Sequence, residues 1–236
     1  GNIKNLNLKY QAYVMNGFSG HNGTTGTFSA GNGLRKGRQK GAESYMSSPT
    51  YSSKVDYYGI KGLKIGLAGY FGKSQSQYYN GLDMKDDAAV RTADSSRIGI
   101  SMVGLNAIYT VKAFQFKGQF NSIKLTNSGQ YNAFFGTDLG SNILGYYGEV
   151  SYNLFNKRSK KESLTPFVRY EKFNTHNKVE TGTTKNEANN RSSWTMGLGW
   201  KMTPGAVLKA DYQIYENEAS GSKATNKFNM GVGVWF

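Results

Sequence analysis

The sequence predicts an all-β chain, a transmembrane antiparallel β-barrel with ten visible strands. Three observations predict it. Apolar side chains recur at every second residue in segment after segment. The connections alternate between short and long, as in outer-membrane barrels. No run approaches the ~18 apolar residues that a membrane helix needs, so any crossing would be made by strands.

The strands follow one another along the chain. LNLKYQAYVM sets Leu6, Leu8, Tyr10, Ala12 and Val14 against Asn7, Lys9, Gln11 and Tyr13, and Ser53–Tyr58 is the second strand, with the weakest alternation. LKIGLAGYF sets Leu63, Ile65, Leu67 and Phe71 against Lys64, Gly66 and Ala68. Residues 97–111 form the fourth, where parity switches near Met102–Val103 and predicts a bulge or a partly apolar interior. AFQFKGQFN turns Phe114, Phe116 and Phe120 one way and Gln115, Lys117, Gln119 and Asn121 the other. ILGYYGEVSYNLF sets Leu144, Tyr146, Val150, Tyr152 and Leu154 against Tyr147, Glu149, Ser151 and Asn153. TPFVRYEKF points Val168 and Tyr170 outward and Arg169 and Glu171 inward. SSWTMGLGWKM alternates Trp194, Met196, Leu198, Trp200 and Met202 with Ser193, Thr195 and Lys201, and AVLKADYQIY alternates Leu208, Ala210, Tyr212 and Ile214 with Lys209, Asp211 and Gln213. NKFNMGVGVWF closes the set with Met230, Val232, Val234 and Phe236 on one parity and Trp235 on the other.

Parity alone also suits a packed soluble barrel. The connections separate the two. Short ones fall at Gly59–Gly62, near Lys112, at Asn156–Ser163 and at Thr203–Gly205; long ones at Gly17–Ser52, Gly72–Ser96, Asn127–Asn142, Thr175–Asn190 and Asn217–Lys227. Every short turn then lies at one end, the periplasmic end of an outer-membrane barrel, and every long loop at the other. Aromatic girdles are expected at both borders, from Tyr109, Phe155, Trp200 and Phe236 at one end and Phe71, Phe173, Tyr215 and Phe228 at the other. The terminal Phe236 has the form of an outer-membrane assembly signal.

Composition narrows the chemistry. The absence of Cys removes disulfide frameworks, thiol nucleophiles and zinc-finger ligand sets, and a net charge of +14 is spread through strands and turns rather than clustered as in a nucleic-acid module. Only His21 and His176 are available as bases near neutral pH, both in or beside long loops, where a histidine is ordinarily solvated. The Asp83, Asp86, Asp87 cluster lacks the glycine and terminal glutamate of a calcium loop, and NGTTG is followed by no phosphate-cradling helix. No catalytic residue, metal or cofactor is expected.

Several stretches, taken in order, carry a family resemblance. LNLKYQAYVMNGF, VDYYGIKGLKIGLAGYFG, LGYYGEVSYNLF, LTPFVRYEKFNTH, AVLKADYQIYENE and MGVGVWF together resemble the distal part of porins in the phosphate-selective porin O/P-like superfamily of Gram-negative outer membranes. The resemblance implies a sixteen-stranded, often trimeric barrel, of which residues 1–236 would be a single barrel domain forming the C-terminal portion. A genuine ten-stranded barrel is the alternative. The distinction matters because about eight to ten strands fill their interior with side chains whereas ~16 leave an aqueous channel.

The expected pore wall carries Lys9, Lys64, Lys117, Arg169, Lys201 and Lys209, opposed by Asp56, Glu149, Glu171 and Asp211, with Arg169–Glu171 and Lys209–Asp211 spaced to neutralise each other. The family's phosphate selectivity implies an arginine ladder, and here Arg169 is the one lumen arginine in that set, so a general anion preference is the expectation. In the longest loop, GLRKGRQKG sets Arg35, Lys36, Arg38 and Lys40 among glycines: folded inward it would be a basic constriction, and outside it would meet anionic lipopolysaccharide. The expected function is an outer-membrane porin for passive diffusion of small hydrophilic solutes. The alternative is a non-conducting adhesin, scaffold or subunit of a larger envelope complex. Expected partners are outer-membrane lipid, lipopolysaccharide, the barrel-assembly machinery and sister protomers of a homotrimer, with no nucleic acid.

Overall fold

The structure, a computed structural model, describes residues 1–156 and 161–235. Ten long strands follow in chain order: β1 (Leu8–Asn16), β2 (Pro49–Tyr57), β3 (Leu63–Lys73), β4 (Gly99–Val111), β5 (Phe114–Thr126), β6 (Asn142–Tyr152), β7 (Ser163–Lys178), β8 (Asn190–Thr203), β9 (Ala206–Asn217) and β10 (Thr225–Val234). Each pairs antiparallel with its neighbours in sequence, and the short segment Asn2–Ile3 pairs with the outer edge of β1 to complete an 11-stranded sheet. The chain is therefore all-β, one large antiparallel sheet. It is not closed: the order runs from Asn2–Ile3 and β1 at one end to β10 at the other, and β1 and β10 do not pair.

All ten expected segments contain strands, though β1 begins only at Leu8, since Lys4–Leu6 is a 3-10 turn and Asn7 takes φ +52, β2 starts earlier than Ser53 and β7 runs beyond Phe173. Short turns gather at one end. Gly62 takes φ +81 there, and a Cβ on it would collide with the Thr110 carbonyl oxygen, so the β2–β3 turn requires glycine at that place. At the other end the long connections are not all irregular. They hold two helices that the pattern did not announce, α1 (Asp87–Ser95) and α2 (Ser128–Phe135).

The parity switch in β4 is not a bulge. Its register with β3 and with β5 is continuous from Gly99 to Tyr109. The polar face is instead apolar over its loop-end half, where Ile100, Met102, Ile123, Leu125 and Ile143 receive a cap formed by the β1–β2 loop and by the β5–β6 connection that holds α2. Phe28, Leu34, Tyr131 and Leu139 from that cap are buried against them. Each such side chain contributes about 1.5–3 kcal/mol by leaving water. The core thus sits between sheet and loops, not between two sheets.

Gln75 ties this cap down. Its backbone pairs with Phe18 and Gly20, while its Oε1 accepts from the Ser47 and Ser48 amides (2.6 and 2.9 Å) and its Nε2 donates to the Ser48 carbonyl (2.7 Å). One fully buried side chain therefore holds both ends of the β1–β2 loop.

The opposite face is apolar and uncovered. Its side chains include Leu67, Leu105, Phe120, Trp194, Met196, Trp200, Met230 and Val232, from 42 to 72% exposed. Its apolar band runs obliquely to the hydrogen-bonded rows. The row through Leu67 is apolar from Val55 through Leu105, Phe120 and Tyr146, then becomes Lys172, Ser192 and Glu216. On the later strands the band lies nearer the short turns, in rows such as Leu164, Trp200, Leu208 and Val232. Between β3 and β10 it shifts by roughly seven residues, about 23 Å along the strands against about 34 Å across them, an obliquity of about 35°.

Replacing Gln75 with leucine leaves the Ser47 and Ser48 amides without their partner, at a local cost of about 3 kcal/mol. Hydrogen exchange is expected to rise sharply over residues 18–20 and 45–48 while β4 and β5 keep their protection. Equal loss of protection in the strands would contradict this placement of the clamp.

Candidate functional site

The polar face gathers every wall residue expected from the sequence. Lys64, Lys117, Glu149 and Arg169 stand in one row across β3 to β7, and Lys9, Asp56, Tyr147 and Glu171 in the next. Lys201, Lys209 and Asp211 continue the same face on β8 and β9. Two carboxylates organise it. Glu149 accepts from Lys117 Nζ at 2.9 Å and from Arg169 at 2.8 Å (Nη2) and 3.0 Å (Nε), so it bridges β5, β6 and β7. Asp56 is held by Lys54 at 3.1 Å and Lys64 at 3.4 Å, with Lys9 opposite it in register. Each acid is therefore outnumbered two to one.

The pairing differs from the expected i, i+2 neutralisation. Arg169 bonds across strands to Glu149 rather than to Glu171, because adjacent strands lie nearer, in the direction a guanidinium extends, than the next same-face residue. Lys209 lies 4.8 Å over the Phe167 ring, and Asp211 accepts instead from Asn229 (2.9 Å). Aromatic rings underlie other cations too: Arg169 over Tyr147 (4.5 Å), Lys227 over Tyr215 (4.9 Å) and Arg191 over Phe173 (5.9 Å). Phe173 and Tyr215 are thus on the polar face and are not girdle residues, as their shared parity with Arg169 and Lys209 dictates. Phe228 is on the apolar face but in the row of Tyr212 and Met196, within the band. Phe236, expected as an assembly signal, and residues 157–160 of the basic turn lie outside the described residues.

The β1–β2 loop folds over the loop-end half of this polar face. Phe18 packs on Tyr70 of β3; further on, Ala30 N donates to Asp138 Oδ1 (2.9 Å), and its carbonyl accepts from the Thr175 hydroxyl at the far side. The loop that carries GLRKGRQKG packs onto the polar face of the sheet. Arg35, Lys36, Arg38 and Lys40 are all exposed, and with Asn32 and Gln39 they line a cleft of about 610 Å³. None of the four forms an ion pair among the described residues. Arg38 also borders a second cleft with Met15, Gly17 and Tyr70, so the basic segment reaches the wall itself.

Neither histidine is solvated. His176 is fully buried, donating from Nε2 to the Asp138 carbonyl (2.7 Å) and accepting at Nδ1 from the Asn186 amide (3.0 Å), which pins the β5–β6 and β7–β8 loops together. His21 is buried between Phe135, stacked at 5.6 Å, and Tyr78, edge-on at 4.9 Å, with Nε2 3.0 Å from the Ser76 hydroxyl. Ser76 is itself buried and shares its hydroxyl with Ser96 (2.7 Å), so the His–Ser pair braces two loops. Asp86 caps α1 by accepting from the Ala88 and Ala89 amides, and Asp83 accepts from the Lys85 amide; among the described residues no cluster of His, Asp or Glu forms a metal site. NGTTG is a small hairpin, His21–Asn22 against Thr25–Gly26, turning at Gly23.

Lys54, Arg191, Lys227 and the aromatic rings beneath the cations were missed by sequence reasoning. The signal was the same two-residue parity: Lys54 and Lys227 stand on the polar parity inside their segments, and Arg191 one residue before Ser192.

No protein-family model matches the chain. A protein of Aquifex aeolicus (strain VF5), described as an uncharacterized protein, is 23% identical over 223 residues, which cover 87% of this chain and 45% of the relative. The chain thus spans less than half the length of the curated relative it matches.

Burial holds the His21 imidazole below its ordinary pKa of 6.5. The unfolded loop takes up a proton near that value and the folded loop only at lower pH. The brace is therefore fully present above about pH 6.5 and weakens as pH falls through the window below it. Thermal midpoints measured at pH 7.5 and pH 5.0 should differ less in His21→Phe than in the parent. An unchanged difference would remove His21 from the pH response.

Proposed function

We propose that this chain forms part of the wall of an outer-membrane porin for small hydrophilic solutes, with a modest preference for anions. The observation that carries this reading is the exposed apolar band running about 35° off the hydrogen-bonded rows, the tilt that strands take in membrane barrels. A planar lipid slab cuts tilted strands at successively different residues, whereas a soluble sheet has no such slab to follow. The segregation of long loops to one end supports the same placement.

The pore side follows from the other face. Asp56 and Glu149 are each overbalanced by two cations, and the loop cleft adds four more that no carboxylate pairs among the described residues. Within a Debye length of about 8 Å at physiological salt, such a segment lowers the barrier to anions and raises it to cations. The aromatic rings beneath Arg169, Lys209 and Lys227 keep the charged heads extended and in place.

One observation favours a non-conducting scaffold or adhesin. The cap buries Phe28, Leu34 and Tyr131 on the polar face, and such a plug would close a narrow barrel. Bilayer recording on the protein purified from its own membrane separates the two. A porin gives steady conductance, and reversing the four loop charges (R35E, K36E, R38E, K40E) shifts the reversal potential toward cations. No steady conductance would favour the scaffold, and conductance without a shift would remove the loop from selectivity.

A further inference from the structure

A second basic site lies outside the polar face. On the apolar face of β3 the band ends at Phe71, and the next residue on that face is Lys73. In the same row stand Gly99 of β4 and Thr126 of β5, and one step down on β5 is Lys124. A cavity of about 260 Å³ opens here, lined by Lys73, Gly99, Thr126, Arg97, Asp94 and Gln130, among others. Gly99 makes room for it, since a Cβ there would collide with the Thr126 hydroxyl. Arg97 is held in place with its guanidinium carbon 3.6 Å over the Tyr79 ring and its Nη2 3.5 Å from Asp94 Oδ1. Its Nε is buried and has no hydrogen-bond partner among the described residues.

The lone acid, Asp94, is already engaged by the Tyr79 hydroxyl, whereas Lys73 and Lys124 are exposed and form no ion pair among the described residues. The result is a notch with excess positive charge and an unsatisfied donor, set where the apolar band gives way to the long loops. We infer that this notch binds a phosphate monoester on the headgroup of an acylated outer-leaflet lipid, with the acyl chains lying against Phe71, Leu105 and Phe120. The inference rests on the membrane placement proposed above. A basic pair beside an apolar face suits an amphipathic anion better than a free one, because the chains hold the phosphate at the cations.

The test uses the membrane-extracted protein reconstituted in phosphatidylethanolamine nanodiscs doped with lipid A or with dephosphorylated lipid A, with retained lipid counted by native mass spectrometry. Lipid A should be retained over its dephosphorylated form, inorganic phosphate should compete only weakly, and K73Q and R97Q should each reduce retention roughly fivefold. K73Q alters an exposed side chain, so its effect does not depend on folding. Equal retention of both lipids, or full retention by K73Q, overturns the site while leaving the membrane placement standing. Competition by inorganic phosphate as strong as by lipid A reassigns the notch to a free ion and overturns the lipid proposal. Failure of the parent protein to insert overturns both.

Discussion

An antiparallel sheet has two faces, and each must be matched to something. Here every second residue of the long strands is directed to a face that the loops leave uncovered, and that face carries Leu67, Leu105, Phe120, Trp194, Met196, Trp200, Met230 and Val232, all between 42 and 72% exposed. A soluble monomer rarely carries an apolar patch of that extent. The loops resolve the other face in the opposite sense, since they pack onto it and bury their own aromatic residues there. Under the proposed membrane placement, the need to give the uncovered face an apolar surrounding accounts for the remaining arrangement. It sends charge and water to one side, sends the connections to that side at one end, and makes the band follow a plane rather than the hydrogen-bonded rows.

That requirement extends to the backbone. Hydrogen-bonding groups in hydrocarbon must be paired within protein, which is why sheets in membranes have no free edge. The outer edge of β1 is paired only over its first residues, by Gly1–Ile3, and β10 offers its second edge to no strand among the described residues. Under the proposed placement, both edges find strands to pair with in the assembled protein. Phe228, Met230, Val232 and Val234 are the most exposed run on the apolar face for the same reason, because an edge strand lacks a neighbour on one side.

Much of this was legible in the sequence, and the physical cause is the period of two. The ten strands and the face of each expected wall charge follow from alternation, and the ends at which the turns lie follow from the lengths of the connections. What alternation could not convey is anything set by the third dimension. Arg169 was expected to meet Glu171, but its partner Glu149 is on another strand, and that depends on register. The polar-face residues Ile100, Ile123 and Ile143 broke the pattern because a loop far away in sequence covers them. His21 and His176 were expected in water since loops are usually solvated, yet these loops make their own core. α1 and α2 escaped because each is short, and the covered side of α1 is only Ala89, Val90 and Ala93, too small a stripe to stand out beside the Asp86 cap.

The most direct test of the central claim is whether the uncovered face meets lipid. Trp194 and Trp200 lie on that face at opposite borders of the band on β8, whereas Trp235 shares the polar parity and lies near Lys201. With Trp235 replaced by Phe, the remaining tryptophan fluorescence would be recorded in bilayers of lipids brominated at shallow or deep positions on the acyl chain. The account predicts strong quenching, greater with shallow bromines than with deep ones, as two rings at the two interfaces require. Fluorescence indifferent to bromine at either depth would contradict it.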